Sequence, residues 1–161
     1  MVGKVLSGGQ TGVDRAALDA AVELGIPYGG WCPAGGWAED MREPPGLLSR
    51  YRELRERASD DPAERTRLNV RDSNATLILT DGAPRSPGTE LTRRAAAELG
   101  RPLAVVDLAE PEQALALARG FLGSLPSRPA LNVAGPRESQ APGIYARAKR
   151  LLAELLGTGE D

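Results

Sequence analysis

The sequence predicts an α/β protein of Rossmann-like type, with a mainly parallel sheet of about five strands between two helical layers. Three observations carry this prediction. Short, almost continuously apolar segments alternate with longer amphipathic ones, as in a parallel sheet that is covered on both faces. A glycine-rich loop joins the first predicted strand to the first predicted helix. The chain of 161 residues contains 19 glycines and 13 prolines, which supply the turns that such a fold needs.

The first predicted unit is a strand, a glycine loop and a helix. Residues 2–6 form a short apolar strand, and small apolar side chains recur on one face of residues 13–24, which predicts a helix. Gly25 follows at the position where helices commonly end. The next apolar segment, residues 26–31, predicts the second strand.

The middle of the chain is more polar, and we expect two helices there. Residues 32–46 are rich in glycine and proline and predict a loop. Residues 47–58 have leucine and tyrosine at helical spacing among many charges, which predicts a helix. Asp61 is suited to cap a further helix that extends to about residue 72. The charged segment 50–67 is therefore expected to be a solvated helical hairpin.

The second half of the chain repeats the alternation of strand and helix. The apolar runs that predict strands cover residues 75–80, 102–107 and 128–133. The amphipathic segments that predict helices cover residues 88–100, 110–122 and 143–156. Since no linker composition interrupts the pattern, we predict one nucleotide- or cofactor-binding domain over residues 1–156 and a frayed tail over 157–161.

The composition excludes several function classes. The chain has no histidine, so it has no Ser-His-Asp triad, no Cys-His pair and no His-ligated zinc site. Cys32 is the only cysteine, which rules out an internal disulfide. A net charge of -2 lacks the excess of positive charge that is typical of a nucleic-acid binder. We see no membrane-spanning run and no secretory signal, and we expect a cytoplasmic protein.

The loop after the first strand is the first candidate site for an anion. Ser7, Gly8, Gly9, Gln10 and Thr11 precede the first helix. Adjacent glycines let main-chain N–H groups approach an anion, and the helix adds the positive end of its dipole. The spacing matches neither a Walker A loop nor the G-x-G-x-x-G fingerprint. A tight turn without a ligand is the alternative, and we favour ligand binding.

Two later loops are expected at the same edge of the sheet. Gly88 and Thr89 could hold a phosphate through their amides and the Thr89 hydroxyl, with Arg85 adding charge nearby. The alternative is that Thr89 only caps the following helix. After the last strand, Asn132 and Arg137 could reach a ligand. The alternative there is a solvated turn.

Three carboxylates near these loops are candidates for a general base. They are Asp14 in the first helical turn, Glu39 in the long loop, and Glu90 directly after Thr89. We include Asp14 and Glu90 in the predicted ligand site. Salt bridges and the helix dipole are the alternative explanations for such residues. No catalytic residue and no metal ligand is assigned.

Four blocks of sequence resemble one known family. They are SGGQTGVDRAALDAA at 7–21, GGWCP at 29–33, NVRDSNATLIL at 69–79 and LNVAGPRES at 131–139. In this order they resemble the molybdenum carrier family, which includes the molybdenum cofactor carrier proteins. That family is similar to a wider Rossmann-like group, the cytokinin-activating phosphoribohydrolases or "lonely guy" enzymes, long misnamed lysine decarboxylases.

The resemblance implies a homo-oligomer, a dimer or tetramer, that binds a phosphorylated pterin carrying molybdenum at the loops described above. The phosphoribohydrolases carry a Pro-Gly-Gly-x-Gly-Thr-x-x-Glu loop whose glutamate is catalytic. Here Gly88 and Thr89 match that loop, but Thr92 stands in the place of the glutamate. Hydrolase activity of that type is therefore not expected from the resemblance.

Three functional hypotheses follow from these observations. We favour a binding protein that stores or carries a phosphorylated, pterin-type molybdenum cofactor or a related nucleotide-like ligand without chemistry. The alternative is a nucleotide hydrolase that uses one of the three carboxylates as a base. A third possibility is a sensor module in which the ligand switches an assembly.

Overall fold

The computed structural model of the protein describes residues 1–57, 61–82 and 86–157. The strands are β1 (Lys4–Leu6), β2 (Tyr28–Cys32), β3 (Leu54–Glu56), β4 (Ala75–Thr80), β5 (Leu103–Asp107) and β6 (Ala130–Ala134). The helices are α1 (Val13–Leu24), α2 (Leu47–Arg50), α3 (Pro62–Arg71), α4 (Pro87–Leu99), α5 (Pro111–Gly123) and α6 (Ile144–Leu156). The predicted α/β fold is confirmed, with six strands in place of about five.

All six strands pair in parallel, in the order β3-β2-β1-β6-β4-β5. The chain first builds outwards from β1 to β3, then returns to start the other half at β4. The last strand, β6, fills the gap between β1 and β4, with Leu131 in register with Val5 and with Ala75. Ligands of open α/β sheets bind where the strand order reverses. Here that point is the carboxyl end of β1, β6 and β4.

The helices lie in two layers. Helices α1, α5 and α6 cover one face of the sheet with small and branched residues, and α1 packs along α6. Helices α3 and α4 cover the other face, where Val70 meets Ala95 and Ala96. A second small core under α2 and β3 contains Leu18, Leu47 and other buried apolar residues. No helix in the described ranges combines the length and apolar character needed to cross a bilayer.

Most predicted elements are present, and their ends have local causes. Helix α1 has the predicted bounds, and Gly25 ends it in the left-handed conformation with φ 71°. Asp61 caps α3 as expected, because its side chain accepts a hydrogen bond from the Ala63 amide at 3.0 Å.

The helix predicted over residues 47–58 is wrong, and so is the charged helical hairpin. Only the four residues of α2 are helical, and the chain leaves the helix at Tyr51 to form β3. Leu47, Tyr51 and Leu54 share one side of a helical wheel, but they pack into the small second core from a bent chain. The open edge of β2 offers backbone partners to β3, and this tertiary pairing outweighs the local helical pattern.

The start of α4 also differs from the prediction. The helix begins at Pro87, and Ser86 rather than Thr89 is the cap, because its hydroxyl accepts the Thr89 amide at 3.2 Å. Arg85, which was expected to add charge, lies outside the described residues, as do Ala58 and the predicted frayed tail beyond Gly157.

Candidate functional site

A cavity of about 320 Å³ opens at the carboxyl edge of the sheet, at the point where the strand order reverses. Its size is at the lower end of the range for small-molecule sites. Four segments form its wall: the first turn of α1, α3, the start of α4 and the loop after β6. Its polar lining residues are Gln10, Asp14, Arg65, Thr66, Ser86, Thr89, Thr92, Arg137 and Gln140.

The first and third predicted loops are joined beside this cavity. The amide of Val13 donates to the carbonyl of Pro136 at 3.2 Å, and Thr11 Oγ1 accepts the Glu138 amide at 3.0 Å. Gly12 has φ 79°, and a Cβ added there would lie 2.3 Å from the Pro136 oxygen. Only glycine permits this conformation together with so close an approach. The geometry of the cavity wall therefore depends on Gly12.

Asp14 is the carboxylate of the cavity. Burial raises its pKa from 3.8 to about 6, while Arg65 and the Gln10 amide act in the opposite direction. The Gln10 amide donates to Asp14 Oδ2 at 3.4 Å, which is a long hydrogen bond. A carboxylic acid with such a pKa exchanges its proton near neutral pH, and it can accept or donate a hydrogen bond to a ligand.

Arg65 faces Asp14 across Gly8. A Cβ added at Gly8 would lie 3.1 Å from Asp14 Oδ2 and 3.5 Å from the Arg65 side chain. Gly8 is buried beside these two side chains and does not itself line the cavity. Among the described residues, the Arg65 guanidinium forms no hydrogen bond or ion pair. Its donors are therefore available to an anionic group.

Arg137 supplies a second positive charge from the loop after β6. Its guanidinium lies 3.8 Å from Glu39, and its side chain is 38% exposed. This distance is beyond a direct hydrogen bond, so the contact is weak. Arg137 also favours the ionised form of Asp14 electrostatically. Two arginines from different elements thus line one cavity.

Most amides of the first loop already have partners within the protein. The amides of Gly9, Gln10 and Thr11 donate to Ser7 Oγ, Asp14 Oδ2 and Gln10 Oε1 respectively. Ser7 Oγ donates in turn to the Asp14 carbonyl at 2.9 Å. The structure places Ser7 and Gly9 inside the turn, and a Cβ at Gly9 would collide with Leu47 at 2.8 Å. These residues shape the loop, and neither Gly8 nor Gly9 lines the cavity.

Gln10 and Thr11 hold neighbouring segments. The Gln10 carboxamide oxygen accepts the Glu39 amide at 2.9 Å. The Thr11 hydroxyl donates to the Glu39 carboxylate. Thr11 also lines a second depression, on the far side of the loop after β6. Hydrogen bonds from Thr11 and Ser139 outweigh burial and lower the pKa of Glu39. Glu39 is thus a structural anion here, and it does not line the cavity.

The second loop brings Gly88 and Thr89 to the opposite wall of the cavity. A Cβ at Gly88 would meet nothing within 4 Å, so Gly88 leaves open space at the start of α4. The Thr89 hydroxyl accepts from Ser86 at 3.0 Å, and Thr92 donates to the Gly88 carbonyl at 2.9 Å. Glu90, by contrast, is half-buried on α4 and is not among the lining residues.

Asn132 does not line the cavity either. It is buried in β6, and its side-chain amide donates to Thr76 Oγ1 at 3.3 Å. Its place in register with Leu6 and Thr76 puts it within the sheet. Of the residues predicted to bind a ligand, Gln10, Asp14, Gly88, Thr89 and Arg137 line the cavity.

Five polar residues of the wall were not predicted as part of the ligand site: Arg65, Thr66, Ser86, Thr92 and Gln140. The α3 helix is amphipathic, but nothing in its sequence tells which end of the sheet its polar face reaches. Gln140 follows the GPRES block and accepts the Arg137 amide at 3.4 Å. Its nearness to Arg137 in the sequence is the one feature from which its place in the wall could have been predicted.

The raised pKa of Asp14 predicts a stabilising substitution. Asp14→Asn is expected to raise the free energy of unfolding by about 1–3 kcal/mol near pH 8, because it removes a buried charge and keeps the shape. Between about pH 4 and pH 6 the folded protein binds a proton that the unfolded chain does not, so the wild type gains stability as the pH falls. Urea denaturation at both ends of this pH range measures the difference in the free energy of unfolding between the wild type and Asp14→Asn. A difference that does not change with pH would contradict the raised pKa of Asp14.

Comparisons with known proteins bear on this site. The model of the circularly permutated YpsA SLOG family matches residues 5–156. The chain is 40% identical to a "Putative molybdenum carrier protein" from Syntrophus aciditrophicus SB, whose crystal structure superposes with a TM-score of 0.85 over 96% of this chain and 95% of the other. A search of curated proteins found no match.

In this fold the first and last of the described strands pair, and α1 packs on α6. The resemblance to the molybdenum carrier proteins is confirmed, and the chain belongs to the circularly permutated YpsA SLOG family.

Proposed function

We propose that this protein binds and carries a phosphorylated, pterin-type molybdenum cofactor or a related nucleotide-like ligand in the cavity at the carboxyl edge of the sheet. The observation that carries the proposal is that two arginines, Arg65 and Arg137, line one cavity together with the half-buried Asp14. The carrier role is supported by the likeness to the Syntrophus aciditrophicus protein.

The chemistry of the lining fits such a ligand in two parts. Guanidiniums bind phosphate through paired N–H donors, and Arg65 has its donors free among the described residues. A flat heterocycle with ring N–H and carbonyl groups needs both an acceptor and a donor, and Asp14 supplies either according to its protonation. We infer that the phosphate lies against Arg65 and Arg137 and that the heterocycle contacts Asp14.

Calorimetric titration tests the proposal. The purified protein is titrated with the molybdenum-free phosphorylated pterin, with nucleoside monophosphates, and with the same compounds lacking phosphate. We expect saturable binding of at least one phosphorylated compound and a clear loss without the phosphate. Absence of binding by all of them, with the circular dichroism spectrum of a folded protein, would contradict the proposal.

Gly88 offers a sharper test, because its substitution separates stability from binding. Gly88→Ala is expected to raise the free energy of unfolding by about 0.5–1 kcal/mol through helix propensity, since an added Cβ meets nothing. It is expected to weaken binding of the phosphorylated ligand, because the methyl group enters the cavity wall. Denaturation and calorimetry on one preparation measure both effects.

Gly120→Ala is the matched control. Gly120 lies inside α5, and a Cβ there also meets nothing within 4 Å. It should give a similar gain in stability with unchanged affinity. Equal affinities of both variants would show that the start of α4 does not contact the ligand.

A second candidate function, a nucleotide hydrolase, is favoured by one observation. Asp14 has a pKa of about 6 beside Arg65 in a cavity, as a general acid or base requires. A panel of nucleoside monophosphates, assayed for release of base or of phosphate, distinguishes the enzyme from the carrier. Release that Asp14→Asn abolishes would establish the hydrolase, and binding without release would establish the carrier.

The homo-oligomer implied by the resemblance stays a prediction. Sedimentation velocity of the purified protein would test it, and a monomer at all concentrations would contradict it.

A further inference from the structure

A second depression lies on the far side of the loop after β6. Its volume is about 750 Å³, and it is open to solvent. The loop separates the two spaces, because Arg137 and Gln140 line the cavity already described while Glu138 and Ser139 line the depression. The proposed function does not use this surface, and of the predicted ligand-site residues only Thr11 lies on it.

The carboxylates of the depression are engaged by the protein itself. Asp40 forms a bidentate pair with Arg15, with both distances 2.9 Å. Asp19 accepts the hydroxyls of Tyr51, at 2.5 Å, and of Tyr145.

Glu138 and Glu39 are satisfied in the same way. The two Glu138 oxygens accept the amides of Gly143 at 2.6 Å and Tyr145 at 3.0 Å. Glu39 accepts the Ser139 hydroxyl at 2.7 Å and amide at 3.2 Å. These carboxylate oxygens already accept hydrogen bonds from the protein, so few of their lone pairs remain for donors of a ligand.

Two guanidiniums of the depression have donors left over. Arg42 lies over the Trp37 ring at 5.9 Å, and its one hydrogen bond among described residues runs from Nε to the Glu39 carbonyl at 3.1 Å. Arg50 lies over the Tyr51 ring at 5.1 Å, and its nearest carboxylate oxygen, on Asp19, is 3.8 Å away. Aromatic contacts orient both groups, and their N–H edges remain available.

We propose that this depression is a second binding site, distinct from the first, for a small organic or inorganic oxyanion held between Arg42 and Arg50. Phosphate and carboxylate share the paired acceptor oxygens that guanidinium recognises. The experiment therefore includes one probe of each kind, inorganic phosphate and citrate.

The test is an NMR titration of the isotopically labelled protein with each probe in turn. We expect amide shifts at Thr11, Gly12 and Ser139, which line the depression. The double variant Arg42→Gln with Arg50→Gln is expected to weaken the response at least about tenfold, since it removes both charged hydrogen-bond donors. The probe bound more tightly identifies the class of anion.

Two control variants separate the outcomes. Arg52→Gln changes an exposed arginine that does not line the depression, and it should leave the response unchanged. Arg65→Gln changes a residue that lines the first cavity and not the depression, so it should leave anion binding in the depression unchanged. Binding in the depression is therefore expected even if the first cavity binds no ligand. Unchanged binding in the double variant, or no shifts at these amides, would overturn the inference. Burial of Arg42 and Arg50 between copies of the chain in solution would overturn it as well.

Discussion

Replacement of Gly12 by alanine is expected to lower the free energy of unfolding by about 3–5 kcal/mol, because strain and overpacking act at the same position. The positive φ of Gly12 is strained for alanine. The new Cβ would also lie 2.3 Å from the Pro136 oxygen and 2.8 Å from the Glu138 nitrogen. Both atoms are backbone, so the clash is relieved only if the two loops move apart.

Gly25→Ala is the matched control, because Gly25 also has a positive φ but an added Cβ meets nothing. It should cost about 1 kcal/mol, the conformational penalty alone. Chemical denaturation followed by fluorescence measures both variants. Similar losses in the free energy of unfolding for Gly12→Ala and Gly25→Ala would show that the first and third loops are not tightly packed against each other. Gly12 would then not determine the geometry of the cavity wall.

The double variant Arg65→Gln with Arg137→Gln is expected to weaken binding of a phosphorylated ligand by about 100-fold or more, since each charge-assisted hydrogen bond to the phosphate contributes about 1.5–3 kcal/mol. Glutamine keeps part of the side-chain volume and some hydrogen bonding. The affinity for a ligand without phosphate should change little, because the charge on the ligand is then absent. Calorimetry with matched phosphorylated and unphosphorylated compounds measures the difference.

Arg67→Gln serves as the control for α3. Arg67 is exposed and pairs with Glu98 away from the cavity. It should leave binding unchanged. Equal weakening of both ligand types by the double variant would indicate a change in the cavity itself and would contradict a phosphate contact.

Hydrophobic alternation and turn residues predicted most of the fold. The apolar run of β4 and the caps Gly25 and Asp61 depend only on the types of neighbouring residues, so they can be predicted from the sequence. The short strand β3 could not be predicted in this way. Leu47, Tyr51 and Leu54 satisfy a helical period and a bent chain equally well, and the pairing with β2 decides between them.

The candidate site was predictable where loops follow strands. Asp14, Gly88 and Arg137 could be placed at the carboxyl edge because parallel strands end on one side of the sheet. Arg65 could not, since its position depends on how α3 crosses the sheet. Asn132 illustrates the opposite limit: an amide at the end of an apolar strand resembles a ligand contact, but the structure pairs it with Thr76 inside the sheet.

A crystal structure of the protein with a bound nucleoside or pterin monophosphate tests the central proposal most directly. We predict that phosphate oxygens lie about 3 Å from the guanidinium nitrogens of Arg65 and Arg137, with the heterocycle against Asp14. A phosphate bound elsewhere on the protein, with both guanidiniums free of ligand, would contradict this prediction.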